Sequence, residues 1–325
     1  MSVWAYQSRL NRWATVAILL AGVWLSGCQS PQNSQTDNDD KPNVVSTSTM
    51  IADWTEQIAE DTVDLTGILN PGDDPHIYEP VPADSRALET ADLILYNGYN
   101  LEPNLIRMMN SIGGKARKVA VGEVVTPLEL EKEQQGKVPD PHVWGSVQNT
   151  IQMVERLRDE LIQLAPEHRE RFTKNAEQYI QELRQLDRWI TEQIQTIPAS
   201  QRRLITTHDA FQYYAKTYGL EVVGTLIGIS TEEQPSAQTV SQLAESIKKL
   251  GVPTIFAETT INPRLISTVA EEAKVKLAET QLYSDSIGAP GSAGDTYIKM
   301  MVSNTKAIVE NLGGKYTEFQ PEQKS

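Results

Sequence analysis

The chain has 325 residues, with 43 acidic against 29 basic side chains, a formal net charge of -14 and a single cysteine. So acidic a surface argues against nucleic acid and anionic lipid head groups as partners, and one cysteine excludes an internal disulfide. The roughly 280 residues beyond the N-terminal leader are too many for one small domain and suit two lobes of ordinary size.

The leader carries Arg9 and Arg12 and no acid, followed by an apolar run from Ala14 to Leu25. That run is too short to span a bilayer comfortably and suits the core of an export signal. Leu25-Ser26-Gly27-Cys28 comes next and resembles the lipobox of bacterial lipoproteins. The resemblance implies removal of residues 1–27 and acylation of Cys28, which would tether the chain to a membrane without embedding it. An ordinary secretory signal or a buried core thiol is the weaker reading. Residues 28–43 contain no aliphatic side chain and read as a flexible tether.

A β-branched run at 44–49 leads into helical periodicity at 50–61 and a second strand at 63–69. A helix at 82–92, a strand at 93–97, a helix at 101–112 and a strand at 118–121 follow, and 127–138 reads as a loop. Strands alternating with helices predict parallel βαβ units, an α/β fold. Two amphipathic helices come next, through Ile151, Val154, Leu157, Leu161 and Leu164, then from Phe172 through Leu183, Ile190 and Ile197. Pro166 suits the first turn of the second. At about 30 residues, or roughly 45 Å, this helix is long enough to cross from one lobe to another. The alternation then resumes, with strands at 204–207, 222–226, 254–257 and 276–278, and helices at 210–218, 235–250, 263–274 and 296–312. The organisation predicted is an N-terminal α/β lobe at 44–165, a linking helix at 166–197 and a C-terminal α/β lobe at 198–325.

Two of the four histidines sit in near copies of one pattern, Asp74-Pro75-His76-Ile77-Tyr78 and Asp140-Pro141-His142-Val143-Trp144, and a third in Thr206-Thr207-His208-Asp209-Ala210. Each follows a strand or a loop beyond one, where open parallel sheets build their sites. Proline before His76 and His142 stiffens the presentation of each imidazole, as a metal ligand requires, although an ordinary turn uses the same residues. His168 lies in a charged helical turn and reads as a solvated surface residue. Asp285, in Tyr283-Ser284-Asp285-Ser286, is by itself unremarkable for a turn.

Together these segments resemble the metal-specific solute-binding lipoproteins of ABC importers for manganese, zinc and iron. The resemblance extends to Phe256-Ala257-Glu258 and Gly294-Asp295-Thr296-Tyr297 and covers almost all of the mature chain. It implies two α/β lobes joined by one long helix, with a metal in the cleft held by His76, His142, His208 and Asp285. It further implies an extracytoplasmic protein that works with a membrane permease and its cytoplasmic ATPase, and a monomer is expected.

Three imidazoles and a carboxylate suit Zn²⁺ and tolerate Mn²⁺ or, less readily, Fe²⁺. In relatives of this kind, glutamate at the third position goes with manganese and a histidine-rich loop with zinc. The chain has His208 at that position and no histidine in 127–138, so Mn²⁺ and Zn²⁺ both stay open. Asp74, Asp140, Asp209 and Glu258 are candidates for orienting the imidazoles, or else for capping and solvation. Tyr78 and Trp144 would wall the site or simply pack in the core. Four protein ligands leave little room for an activated water, which favours carriage over catalysis and puts a metallohydrolase last. A surface adhesion or scaffold protein with a structural metal is the alternative.

Overall fold

A computed structural model describes residues 41–321 apart from 113 and 133–135. The expected leader, Cys28 and most of the tether lie outside the described residues.

The chain opens with β1 (Asn43–Ser46), α1 (Thr49–Ala59), β2 (Asp64–Gly67), α2 (Pro82–Thr90), β3 (Leu93–Tyr96), α3 (Pro103–Ser111) and β4 (Arg117–Ala120). These strands form one parallel sheet in the order β2-β1-β3-β4. Ser48 starts α1 by accepting the Ile51 N–H on its side chain, while Pro82 and Pro103 occupy the first turns of α2 and α3. Period-two alternation separates the two sheet faces. Val44, Leu93 and Leu95 enter a central apolar cluster, whereas Val45 and Ile94 join Leu88, Leu105 and Met109 in an outer one.

Residues 127–138 are not simply a loop, because β5 (Glu129–Lys132) and β6 (Gly136–Pro139) pair antiparallel within and just beyond them. The alternation in Leu128-Glu129-Leu130-Glu131 is too short to stand out in a segment so rich in charge and glutamine, and the ribbon rests on main-chain pairing.

After β6 come α4 (Val147–Leu164), a 3₁₀ turn at Pro166–His168 and α5 (Arg169–Gln195). The long helix is therefore 27 residues, about 40 Å. It starts three residues later than Pro166 suggests, since a tight turn reverses the chain first. Its buried face carries Phe172, Ala176, Leu183, Leu186, Ile190 and Ile194.

The second lobe adds β7 (Arg203–Thr206), α6 (Gln212–Tyr218), β8 (Glu221–Thr225), α7 (Ala237–Leu250), β9 (Thr254–Ile255), α8 (Arg264–Ala273), β10 (Lys276–Leu277) and α9 (Tyr297–Asn311). The pairs β7/β8 and β9/β10 are parallel, and Phe256 N donates to Ile205 O at 3.0 Å between them. The order β8-β7-β9-β10 thus repeats that of the first lobe. Gly251 ends α7 in the left-handed region at φ 63°, a conformation that favours glycine.

Helix α5 packs against α1, α4 and α9. The central cluster runs without interruption from Val44 and Trp54 through Leu186 to Phe256 and Leu282. Each fully buried leucine or phenylalanine there contributes about 1.5–3 kcal/mol, so the lobes share a core rather than a pliable linker. Among the described residues no helix is long and apolar enough to cross a membrane.

Candidate metal centre

His76 lies between β2 and α2, His142 between β6 and α4, and His208 directly after β7, while Asp285 lies in the loop between β10 and α9. All four are buried, none more than 3% exposed. One ligand atom from each lies within 4.8 Å of the others. His76 Nε2 is 3.2 Å from His142 Nε2. Asp285 Oδ2 is 3.1 Å from His208 Nε2 and 3.9 Å from His76 Nε2, and its Oδ1 is 3.4 Å from His142 Nε2.

The repeated tripeptide folds the same way twice. Asp74 Oδ1 accepts the His76 backbone N–H at 2.9 Å, and Asp140 Oδ1 accepts that of His142 at 3.0 Å. Each is an aspartate turn closed on the residue two positions on. Asp140 Oδ1 also lies 2.7 Å from His142 Nδ1. In the C-terminal lobe Glu258 plays both parts, taking the His208 backbone N–H on Oε1 at 2.8 Å and His208 Nδ1 on Oε2. A carboxylate at Nδ1 keeps the proton of a neutral imidazole there and leaves the Nε2 lone pair facing the cage.

Electrostatics single out Asp285. Burial would raise its pKa, but the neighbouring His208, His142 and His76 hold it well below the ordinary carboxylate range. Burial would lower His208, yet the charges of Asp285 and Glu258 outweigh that and raise it well above the usual histidine value. Both oxygens of Asp285 are buried and face the imidazole nitrogens of the other three residues. A buried carboxylate is costly unless a cation completes it.

The spacings suit such a cation. Bonds of about 2.0–2.2 Å to tetrahedrally placed donors put those donors roughly 3.3–3.6 Å apart. Four of the six separations, from 3.1 to 3.9 Å, straddle that range, and all six lie within 4.8 Å. Both Asp285 oxygens face imidazole nitrogens, so the carboxylate can bind through one oxygen or two. The cage therefore accommodates tetrahedral Zn²⁺ and a higher-coordinate ion such as Mn²⁺.

Other sequence candidates are less central. Asp209 Oδ1 accepts from Gln212 Nε2 at 2.7 Å, and burial raises its pKa. Tyr78 donates to Asp84 on α2 at 3.0 Å, whereas the Trp144 ring stands 5.4 Å from that of His142. His168 packs on Phe172, outside the cage. Spacing and motif do not reveal several supports. Trp144 Nε1 donates to Ser284 O at 2.9 Å, beside Asp285. Ser286 Oγ accepts the Gly72 N–H at 2.8 Å, and Thr231 Oγ1 donates to Asp74 Oδ2 at 2.6 Å. The only sequence signal for Ser286 is its place beside Asp285, and for Thr231 there is none.

Over residues 44–311 the chain matches the family model described as zinc-uptake complex component A, periplasmic. The manganese-binding lipoprotein MntA of Halalkalibacterium halodurans is 32% identical over 295 residues, covering 91% of this chain and 96% of its own. The manganese ABC transporter substrate-binding lipoprotein PsaA of Streptococcus pneumoniae is 32% identical over 303 residues, 91% and 97% of the two chains. Among solved structures, the periplasmic zinc binding protein TroA from Treponema pallidum superposes with a TM-score of 0.79 at 35% identity, over 84% of this chain and 99% of that one. A Mn-bound periplasmic metal binding protein from Candidatus Liberibacter asiaticus gives 0.75 at 25% identity, over 84% and 100%. With the family model spanning most of its length and relatives above 30% identity spanning nearly all of it, the chain belongs to the family of zinc-uptake complex component A, periplasmic.

Proposed function

We propose that this protein captures one divalent transition metal, Mn²⁺ or Zn²⁺, through His76, His142, His208 and Asp285 and delivers it to the membrane permease of an ATP-driven importer. One observation carries the reading: three imidazoles and a carboxylate from both lobes converge in one buried cage. The protein is a binding component and not an enzyme, as its family implies. The names of its relatives support both metals, since they include manganese-binding lipoproteins and a zinc-binding protein. Asp140 and Glu258 orient His142 and His208 through Nδ1, Asp74 fixes the backbone at His76, and Asp209 lies further out.

The protein works outside the cytoplasm, held to the membrane by lipid on Cys28 after loss of residues 1–27, with residues 28–43 as tether. The lipobox-like Leu-Ser-Gly-Cys and relatives named as lipoproteins support this. Residues 44–165 and 198–325 act as the two lobes and 166–197 as their link. One chain supplies all four ligands, in keeping with a monomer.

Competitive titration of the metal-free protein with Mn²⁺ and Zn²⁺ tests the reading, together with the metal content of protein taken from its native envelope. One ion per chain, lost in His76→Ala and Asp285→Ala, is the expected result. Unchanged stoichiometry and affinity in both variants would sink it. The native metal content is needed because Zn²⁺ outranks Mn²⁺ in most sites whatever the cell loads.

A further inference from the structure

The cage has an open side and a closed side. On the open side a cleft of about 680 Å³ lies between the lobes, lined by Tyr99 and Glu123 from one and by Ile229, Ser230 and Glu232 from the other. Of the four donors, His76 alone lines it. On the closed side the lobes share the continuous apolar core around α5 and α9, and Trp144 is bonded to Ser284. An ion therefore leaves most directly past His76.

Across that exit reaches the loop following β8. Its base is tied to the strand end that carries His208: Leu226 N and Ile227 N donate to Thr207 O at 3.0 and 2.9 Å, and Asp209 N donates to Gly228 O at 3.2 Å. Further along the same loop Thr231, only 8% exposed, donates through Oγ1 to Asp74 Oδ2 at 2.6 Å. The other oxygen of Asp74 holds the His76 backbone N–H. One short chain of bonds thus runs from the residues flanking His208, through Thr231, to the turn that presents His76.

We propose that Thr231 is a positioning residue for metal retention: its bond to Asp74 latches the exit side of the cage and sets how long the ion is held. The inference rests on the four-ligand reading above. A bond made across the two lobes beside the exit must break for them to part there, so its loss acts on dissociation far more than on capture. A hydroxyl donating to a carboxylate is among the stronger neutral-donor bonds, and losing one corresponds to roughly a tenfold change in rate.

The test uses the full-length chain loaded with Zn²⁺, with release chased by excess chelator in a stopped-flow instrument and association measured separately. Thr231→Val keeps the branched shape and removes the donor, and Thr231→Ala serves as a second variant if valine perturbs folding. Both are expected to release Zn²⁺ about tenfold faster with association within twofold of wild type, and Thr231→Ser is expected to restore the wild-type release rate. Release within twofold of wild type in the Val and Ala variants would overturn the latch, as would equal changes in association and release. If the wild-type chain fails to hold one Zn²⁺, the four-ligand reading itself fails and the latch falls with it. A failed latch on a wild-type protein that binds leaves that reading standing.

Discussion

Each lobe gives two donors to the cage, but they hold them by different means. In the N-terminal lobe His76 and His142 come from copies of one tripeptide, and an aspartate two residues earlier turns each of them. In the C-terminal lobe the supports are remote: Glu258 grips His208 from 50 residues away, and Trp144, 140 residues earlier in the chain, bonds to Ser284 beside Asp285. The first pair is turned by local chain geometry, with Thr231 and Asn97 adding bonds to the same turns from elsewhere. The second pair is shaped by tertiary structure, through Glu258 at His208 and Trp144 beside Asp285.

The largest effect is expected from Asp285→Ala, which removes the one negative charge among the four donors together with both of its oxygens. Zn²⁺ affinity should fall by more than about 100-fold, beyond what loss of an orienting partner costs. His76→Ala leaves two imidazoles and the carboxylate and should cost less. Chelator competition on both proteins checks the order, and a greater loss in His76→Ala would break the view that the C-terminal donors complete the cage.

Orienting carboxylates come next. Glu258→Gln disturbs the fixing of both the ring and the backbone of His208 and should cost about 10–100-fold in affinity. Asp74→Asn touches only the backbone N–H of His76 and the Thr231 bond, so its loss should be smaller. Equal losses would erase the distinction between local and remote support.

Proton competition sharpens it further. His208 is raised well above the ordinary histidine value in the metal-free cage, and an ion must displace the proton it holds there. Affinity should therefore start to fall while the pH is still above about 6.5, and fall further with each unit of acidification. Titrations from pH 8.5 downward locate the onset. In the metal-free protein the signs oppose one another. The raised His208 contributes stability that is fully present below about 6.5 and lost as pH rises through its folded value. The depressed Asp285 contributes stability present above about 4 and lost as pH falls through its own. Their pair is thus worth most between those limits. A metal-free protein steadily more stable from pH 6 to 9 would contradict that assignment.

The same contrast explains what the sequence discloses. The apolar runs Val44-Val45 and Leu93-Ile94-Leu95, with helical periods between them, announce a parallel α/β sheet, and the twin Asp-Pro-His motifs announce two candidate ligands, because period and motif are local signals. The ribbon at 129–139 stays hidden, since its pairing is main-chain and its composition suggests solvent. Asp285 becomes a candidate mainly through family resemblance, as the supports of its loop come from Trp144 and Thr49 far along the chain. Thr231 carries no signal at all, because nothing in Ile-Ser-Thr-Glu foretells a bond to residue 74.

The smallest predicted effect lies behind the locally built half. Glu102 is buried, with Oε1 accepting Thr47 Oγ1 at 2.8 Å and Asn97 N at 2.7 Å, while Oε2 is unpartnered among the described residues. Asn97 in turn donates to Pro141 O at 2.9 Å, one residue before His142. Burial pushes the Glu102 carboxyl up to about 7, although its two N–H and O–H donors pull the other way. A folded value above the unfolded one means stability that is fully present below about pH 4.3 and lost as pH rises through about 7, at about 1.4 kcal/mol per unit of difference. Glu102→Gln keeps the acceptor for Thr47 and Asn97 and cannot ionise, so its stability should decline less between pH 5 and 9 than that of wild type. Thermal unfolding of both metal-free proteins across this range isolates the effect, because His208 and Asp285 contribute equally to each and cancel in the difference. Parallel curves would mean that Glu102 does not titrate on folding, and that the N-terminal half of the cage rests on a carboxyl group with no leverage on stability.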